Sequence, residues 1–120
     1  MATLTPTLTL VSTNALTDSL SISETDTLTV TNPAEMSRVS VLHTGAGTEF
    51  AAAGSGTHYI YAKNIGTNSR TVQLRTAGGT AFCELAPGEF CFVPLLDDGG
   101  VEALSLVGTE TVEYAIFKKS

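Results

Sequence analysis

Residues 3 to 31 alternate between apolar and hydroxyl-bearing side chains almost without a break. Leu4, Leu8, Leu10, Leu16, Leu20, Ile22, Leu28 and Val30 hold even positions. Thr3, Thr5, Thr7, Thr9, Thr17, Ser19, Ser21, Ser23, Thr27, Thr29 and Thr31 hold odd ones. A period of two puts neighbouring side chains on opposite faces, so this run predicts strands with one buried and one wet face. It is too long for one strand. The polar stretches Asn14-Ala15 and Glu24-Thr25-Asp26 are the places for turns. Pro6 has no N–H to give to a ladder, which makes the first strand an edge or a detached arm. Residues 1–15 are therefore expected as an extended N-terminal arm or edge strand, and residues 16–120 as a single β-sandwich domain.

Further along, Asn32-Pro33-Ala34-Glu35 has the order of a helix start, with Asn as N-cap and Pro at the first helical position. No apolar residues at helical spacing follow, so one helical turn at most is expected. Strands are expected over 38–43 with Val39 and Val41 on one face, over 57–64 with Tyr59 and Tyr61 sharing a face, and over 70–76 with Val72 and Leu74 inward. Residues 65–69 read as a turn. Thr44 to Gly56 holds four glycines and four alanines and reads as a long flexible loop. Such loops in small β domains are often contact sites, so Glu49 and Phe50 join Leu4, Leu8 and Leu10 as candidate interaction residues.

The sharpest local signal lies between Thr80 and Leu95. Pro87 pre-sets the first central position of a type II turn and Gly88 supplies positive φ at the second. Aromatic and β-branched residues flank it, which predicts a β-hairpin. Asp97-Asp98-Gly99-Gly100 is a further turn, and 101–107 with 111–118 form a last strand pair around Gly108-Thr109-Glu110. Eight or nine short strands with turn signals at roughly 8–12-residue spacing point to an all-β fold: an antiparallel sandwich, with the jelly roll as one form of it.

Composition narrows the function. The 120 residues suffice for one core. With 42% apolar and 15% charged residues the chain is globular and not disordered. Its 19 Thr and 10 Ser suit a pleated, half-wet surface. A net charge of −6 with six Lys+Arg argues against nucleic acid and against anionic lipid as partners. No apolar stretch approaches the ~20 residues that span a bilayer. The start Met1-Ala2-Thr3-Leu4 lacks the basic and apolar regions of a secretory signal, so a soluble protein left or assembled in the cytosol is expected.

Catalytic and metal chemistry find little support. Cys83 and Cys91 lack metal-site and C-x-x-C spacing. They are expected as buried free thiols that a two-residue turn sets one out of register, on opposite faces. Neither His43 nor His58 has a Cys, Asp or His at i+2 or i+4. Gly54-Ser55-Gly56 lacks the flanks of a nucleophile elbow. Asp97, Asp98 and Glu102 have oxygen ligands but no EF-hand order, and a simple turn accounts for them. Phe82, Phe90, Phe92, Tyr114 and Phe117 would suit a sugar-binding face. Trp is absent, however, and they read as core. The threonine rows carry no fixed-length repeat of the kind a solenoid needs. No enzyme activity, metal or cofactor is expected.

The run Gly79 to Leu95, G-T-A-F-C-E-L-A-P-G-E-F-C-F-V-P-L, resembles a stretch of small virion proteins of tailed bacteriophages, in which a Leu-Ala-Pro-Gly-Glu turn joins two apolar strands. Tyr59 to Leu74, with its Lys63-Asn64-Ile65-Gly66 turn, is similar to the same family. The resemblance implies a β-sandwich or jelly-roll fold and a structural role. The first expectation is a capsid decoration (cement) protein that bridges neighbouring major capsid subunits, as a homo-oligomer such as a trimer. Its place would be the virion, assembled in the host cytoplasm, with no direct nucleic-acid or membrane contact. Met1 to Leu16 would reach a neighbour by adding a strand to an exposed edge. The alternatives are a tail or head–tail junction protein and, from another class, a small carbohydrate-binding sandwich.

Overall fold

The computed structural model describes the chain apart from residues 16, 18, 32–34, 45, 46, 53, 55, 78 and 96–99, and of Glu35 only the backbone. The described residues form twelve strands and no helix. They fall into two units, Met1–Asn32 with Ser120, and Pro33–Lys119.

The first unit holds β1 (Ala2–Leu4), β2 (Thr7–Ser12), β3 (Leu20–Thr25) and β4 (Leu28–Val30). β1 pairs with β4 and β2 with β3, both antiparallel. One register runs through both pairings: Ala2 faces Val30, Leu4 faces Leu28, Thr7 faces Thr25 and Leu10 faces Ile22, without a slip. The four strands thus share one continuous antiparallel register, and after β2 Ser12 Oγ accepts the Asn14 and Ala15 N–H groups at 3.3 and 3.0 Å. The interruption between β1 and β2 has a chemical cause. Asp26 N–H donates to the Pro6 carbonyl at 3.1 Å, and Pro6 has no N–H with which to return the bond. Two expectations change here. The arm over 1–15 is one side of a paired ribbon, so the boundary lies near residue 32. Glu24-Thr25-Asp26 does not turn the chain, because β3 and β4 continue along the same partner.

The second unit is a sandwich of two four-stranded antiparallel sheets. Its strands are β5 (Glu35–Val41), β6 (Thr48–Ala51), β7 (His58–Asn64), β8 (Val72–Thr76), β9 (Ala81–Leu85), β10 (Phe90–Pro94), β11 (Val101–Ser105) and β12 (Glu110–Lys118). One sheet runs β10-β7-β12-β5, the other β6-β11-β8-β9. Only β8 and β9 are both consecutive and paired; every other connection crosses between the sheets. Alternation drives the layering. Val41, Ile60, Ala62, Val112, Tyr114 and Ile116 from the first sheet meet Phe50, Val72, Leu74, Leu85, Val101 and Ala103 from the second. Each large aliphatic buried in this way contributes roughly 1.5–3 kcal/mol.

Several local expectations are corrected by this topology. The turn at Ala86–Glu89 forms as expected, with Gly88 at φ 88° and Glu89 N–H bonded to the Ala86 carbonyl at 2.9 Å. It does not close a hairpin, because β9 pairs with β8 and β10 with β7. The chain arches over the core edge from one sheet to the other. β11 and β12 likewise lie in different sheets. The expected long loop at 44–56 contains strand β6, whose Phe50 and Ala51 are buried. Of the expected helical turn, 32–34 lie outside the described residues and Glu35 opens a strand. Of the expected turn at 97–100, residues 97–99 also lie outside them, whereas Glu102, the third of its oxygen ligands, is buried on β11.

Candidate interaction surfaces

Register divides the ribbon's residues between two faces. Even residues place Leu4, Leu8, Leu10, Leu20, Ile22 and Leu28 on one face, with Glu24 opposite Leu8; odd residues place threonine against threonine or serine, except for Val11 opposite Ser21. Thr7 and Thr25 share a hydroxyl hydrogen bond of 3.1 Å. Leu8 and Leu10 remain 49% and 44% exposed, and Ile22 38%, while Leu4 is half-buried. The three leucines expected as interaction residues therefore share one apolar face. Glu49 is exposed on β6, an edge strand. Phe50 is not available to a partner: its ring stacks on Tyr114 inside the sandwich, 4.2 Å between centroids.

A second surface was not anticipated. The outer face of the β10-β7-β12-β5 sheet is ordered in rows across the strands. One row reads Phe90, Lys63, Glu113, Arg38; the next reads Phe92, Tyr61, Ala115, Met36; a third reads Pro94, Tyr59, Phe117. Phe90 is 64% exposed, and Phe92 and Met36 are also open to solvent. Tyr59 and Phe92 stack with centroids 5.9 Å apart, and Lys119 Nζ lies 5.0 Å from the Tyr59 ring centre. In the charged row Arg38 pairs with Glu113 at 2.9 Å, and Tyr61 Oη donates to Glu113 at 3.2 Å. Burial, then this carboxylate, pushes the Tyr61 phenol above its ordinary value, so it stays a donor. Half of the chain's six Lys and Arg (Arg38, Lys63 and Lys119) sit on this face of an acidic protein.

The expectation that Phe82, Phe90 and Phe92 are core is thereby overturned; Phe82 is exposed on β9. Their strands turn the other parity inward, buried Leu85 with half-buried Cys83 on β9 and half-buried Cys91 and Val93 on β10, opposite Val72, Leu74, Ala62 and Ile60; the thiols expected as buried are only half so. A signal was present: Glu84 shares the parity of Phe82, and Lys63 that of Tyr59 and Tyr61. Phe117 is half-buried and only Tyr114 is core.

Other polar residues are absorbed by the scaffold. Buried Glu110 accepts the backbone N–H groups of Asn68 and Arg70 at 3.2 and 3.3 Å. Arg75 pairs with buried Glu102. His43 is exposed, and His58 is buried at the start of β7. Among the described residues no three His, Cys, Asp or Glu side chains gather as a metal site. No buried side-chain nitrogen or oxygen among them lacks a hydrogen-bond partner. Among known proteins, no family model, no curated protein and no solved structure matches this chain.

Proposed function

We propose that the chain is a structural protein of a bacteriophage virion, in first place a capsid decoration protein that bridges neighbouring major capsid subunits. The observation that carries this reading is the ribbon, a unit of its own with an exposed leucine face. A two-stranded ribbon is marginal in water without a cover for its apolar side, and a shell protein supplies both a cover and a sheet edge for strand addition. The strand order of the sandwich supports the jelly-roll form: β5-β12-β7-β10 facing β6-β11-β8-β9 is the order that two interlocked Greek keys produce. Jelly rolls serve in viral shells and in lectins alike, so the attachment surface decides between them. The tail or head–tail junction role uses the same face against a different neighbour.

The test is co-expression with the major capsid protein of the same genome, followed by sedimentation of shells. The full chain is expected to sediment with shells and the double variant Leu8→Glu, Leu10→Glu to stay in the supernatant. A full chain that fails to sediment with its cognate shells overturns the decoration role.

A second reading, a carbohydrate-binding sandwich, is favoured by one specific observation, the aromatic rows beside the Arg38–Glu113 ion pair. Flat rings stack on sugar faces, and such a pair bonds hydroxyls. Saturation-transfer NMR with oligosaccharides would show binding that Phe90→Ala and Tyr59→Ala weaken; absence of transfer from any glycan removes this reading.

A further inference from the structure

Cys83 and Cys91 were expected to face opposite sides, and the arch puts them on the same side. Cys83 lies opposite fully buried Leu74 on β8, so it points into the sandwich from one sheet. Cys91 lies opposite fully buried Ala62 on β7, so it points inward from the other. Both pack against the common core. They flank the Ala86–Glu89 turn, a four-residue connection between the two sheets. Both thiols are free and half-buried, and the Cys83 sulfur is near enough to act on the Cys91 thiol electrostatically.

We propose that this pair is a latent inter-sheet crosslink, closed to a disulfide when the protein meets a small-molecule disulfide such as oxidised glutathione. Bridges between facing sheets of a sandwich are sterically feasible, as the inter-sheet disulfide of antibody domains demonstrates. The chemistry balances as two exchanges. The Cys83 thiolate attacks glutathione disulfide, forming a mixed disulfide and releasing one glutathione thiolate. Cys91 then attacks the Cys83 sulfur and expels the second glutathione, which takes up the Cys91 proton. Two protein thiols are oxidised and one glutathione disulfide is reduced to two glutathiones. The order follows from environment: burial first, then the neighbouring Cys83 sulfur, pushes the Cys91 thiol up to about 12, so Cys91 is the poorer first nucleophile. In a reducing cytosol the pair stays open; outside it the two sheets become covalently joined. The sequel for a shell rests on the virion reading, but the thiol chemistry does not, and it is measured on the isolated chain.

The experiment treats the full, native chain with millimolar oxidised glutathione and follows it by mass spectrometry after alkylation in denaturant. The expected product is a monomer lighter by two hydrogens, with no alkylatable thiol and a melting temperature about 10 °C higher. Cys83→Ser and Cys91→Ser should show no rise. The proposal fails if native protein keeps both thiols while a urea-unfolded control oxidises. It fails equally if the product is a covalent dimer or a bis-glutathione adduct, or if closure lowers the melting temperature.

Discussion

Asn64, at the end of β7, ties three segments together through its side chain. Its Nδ2 donates to the carbonyls of Arg70 and Leu85 at 2.8 and 3.0 Å, and its Oδ1 accepts the Gly66 N–H at 3.1 Å. Its backbone bonds Gly88 and Glu89 of the arch. The stretches Tyr59–Leu74 and Gly79–Leu95 therefore meet at one buried amide, which holds them together as scaffold. Asn64→Ala would strand buried backbone groups at about 1–3 kcal/mol each. We expect a loss of roughly 3 kcal/mol in urea unfolding; a loss below ~1 kcal/mol would refute the clamp. Gly66 serves the same node by having no side chain: an added Cβ would lie 1.6 Å from Glu110 Oε1. Gly66→Ala should thus destabilise by about 2–3 kcal/mol, and Gly88→Ala, with open space around it, should act only through its positive φ. His58 makes stability depend on pH. Burial pulls its pKa below 6.5, the Gly56 backbone hydrogen bond opposes this, and the Lys118 charge adds to the lowering. The unfolded chain then binds a proton at higher pH than the folded one, so stability is full above about 6.5 and drains as pH falls through that value. Melting temperatures between pH 7 and 5 should fall less steeply for His58→Gln than for the parent; parallel slopes would exclude His58 as the cause.

The ribbon's break at Pro6 shows how one imino acid divides an element. Asp26 gives Pro6 a hydrogen bond and receives none, so Pro6→Thr should restore the reciprocal bond. A net gain of about 0.5–1.5 kcal/mol should slow amide exchange several-fold at Thr5, Asp26 and Thr27. Unchanged exchange there would mean that the break has another origin. The same element shows what could be read beforehand. Alternation over 3–31 marked most of the strand residues and the leucine face, because period two is local; Val11, Ser12 and Glu24 break it, and the face expected to be buried stays largely open. Strand partners are not local. A Pro-Gly turn flanked by apolar strands serves a hairpin and an arch equally, and what separates them is that β7 and β8 already occupy the ladders of β10 and β9. Parity misled where the larger residue faces out: Phe90 and Phe92 are bulkier than Cys91 and Val93, yet the smaller pair fits the space against Ala62 and Ile60. The aromatic face was therefore missed, while the common face of Leu4, Leu8 and Leu10, which alternate with threonines, was legible.

At the scale of the molecule, the division near residue 32 sets what can be removed. Among the described residues the core cluster runs from Val41 to Ile116, and Val30, buried in the first unit, is not part of it. A chain beginning at Pro33 keeps all eight sandwich strands, the Asn64 node and the buried Glu110. It should fold, with a β-type circular dichroism spectrum and a single cooperative unfolding transition. The ribbon by itself lacks a core and should not hold its structure. Deleting only Met1 to Leu10 is the less informative cut, since it leaves most of β3 and all of β4 without partners and exposes Ile22 and Leu28 further. Removal of 1–32 takes the leucine face away whole. The truncated chain is expected to melt within a few degrees of the parent and to fail to sediment with shells. Loss of cooperative unfolding would make the ribbon a part of the sandwich's stability. Undiminished sedimentation of a folded truncation would move the attachment site off the ribbon and onto the sandwich, where the aromatic rows of β10, β7 and β12 are the next surface to alter.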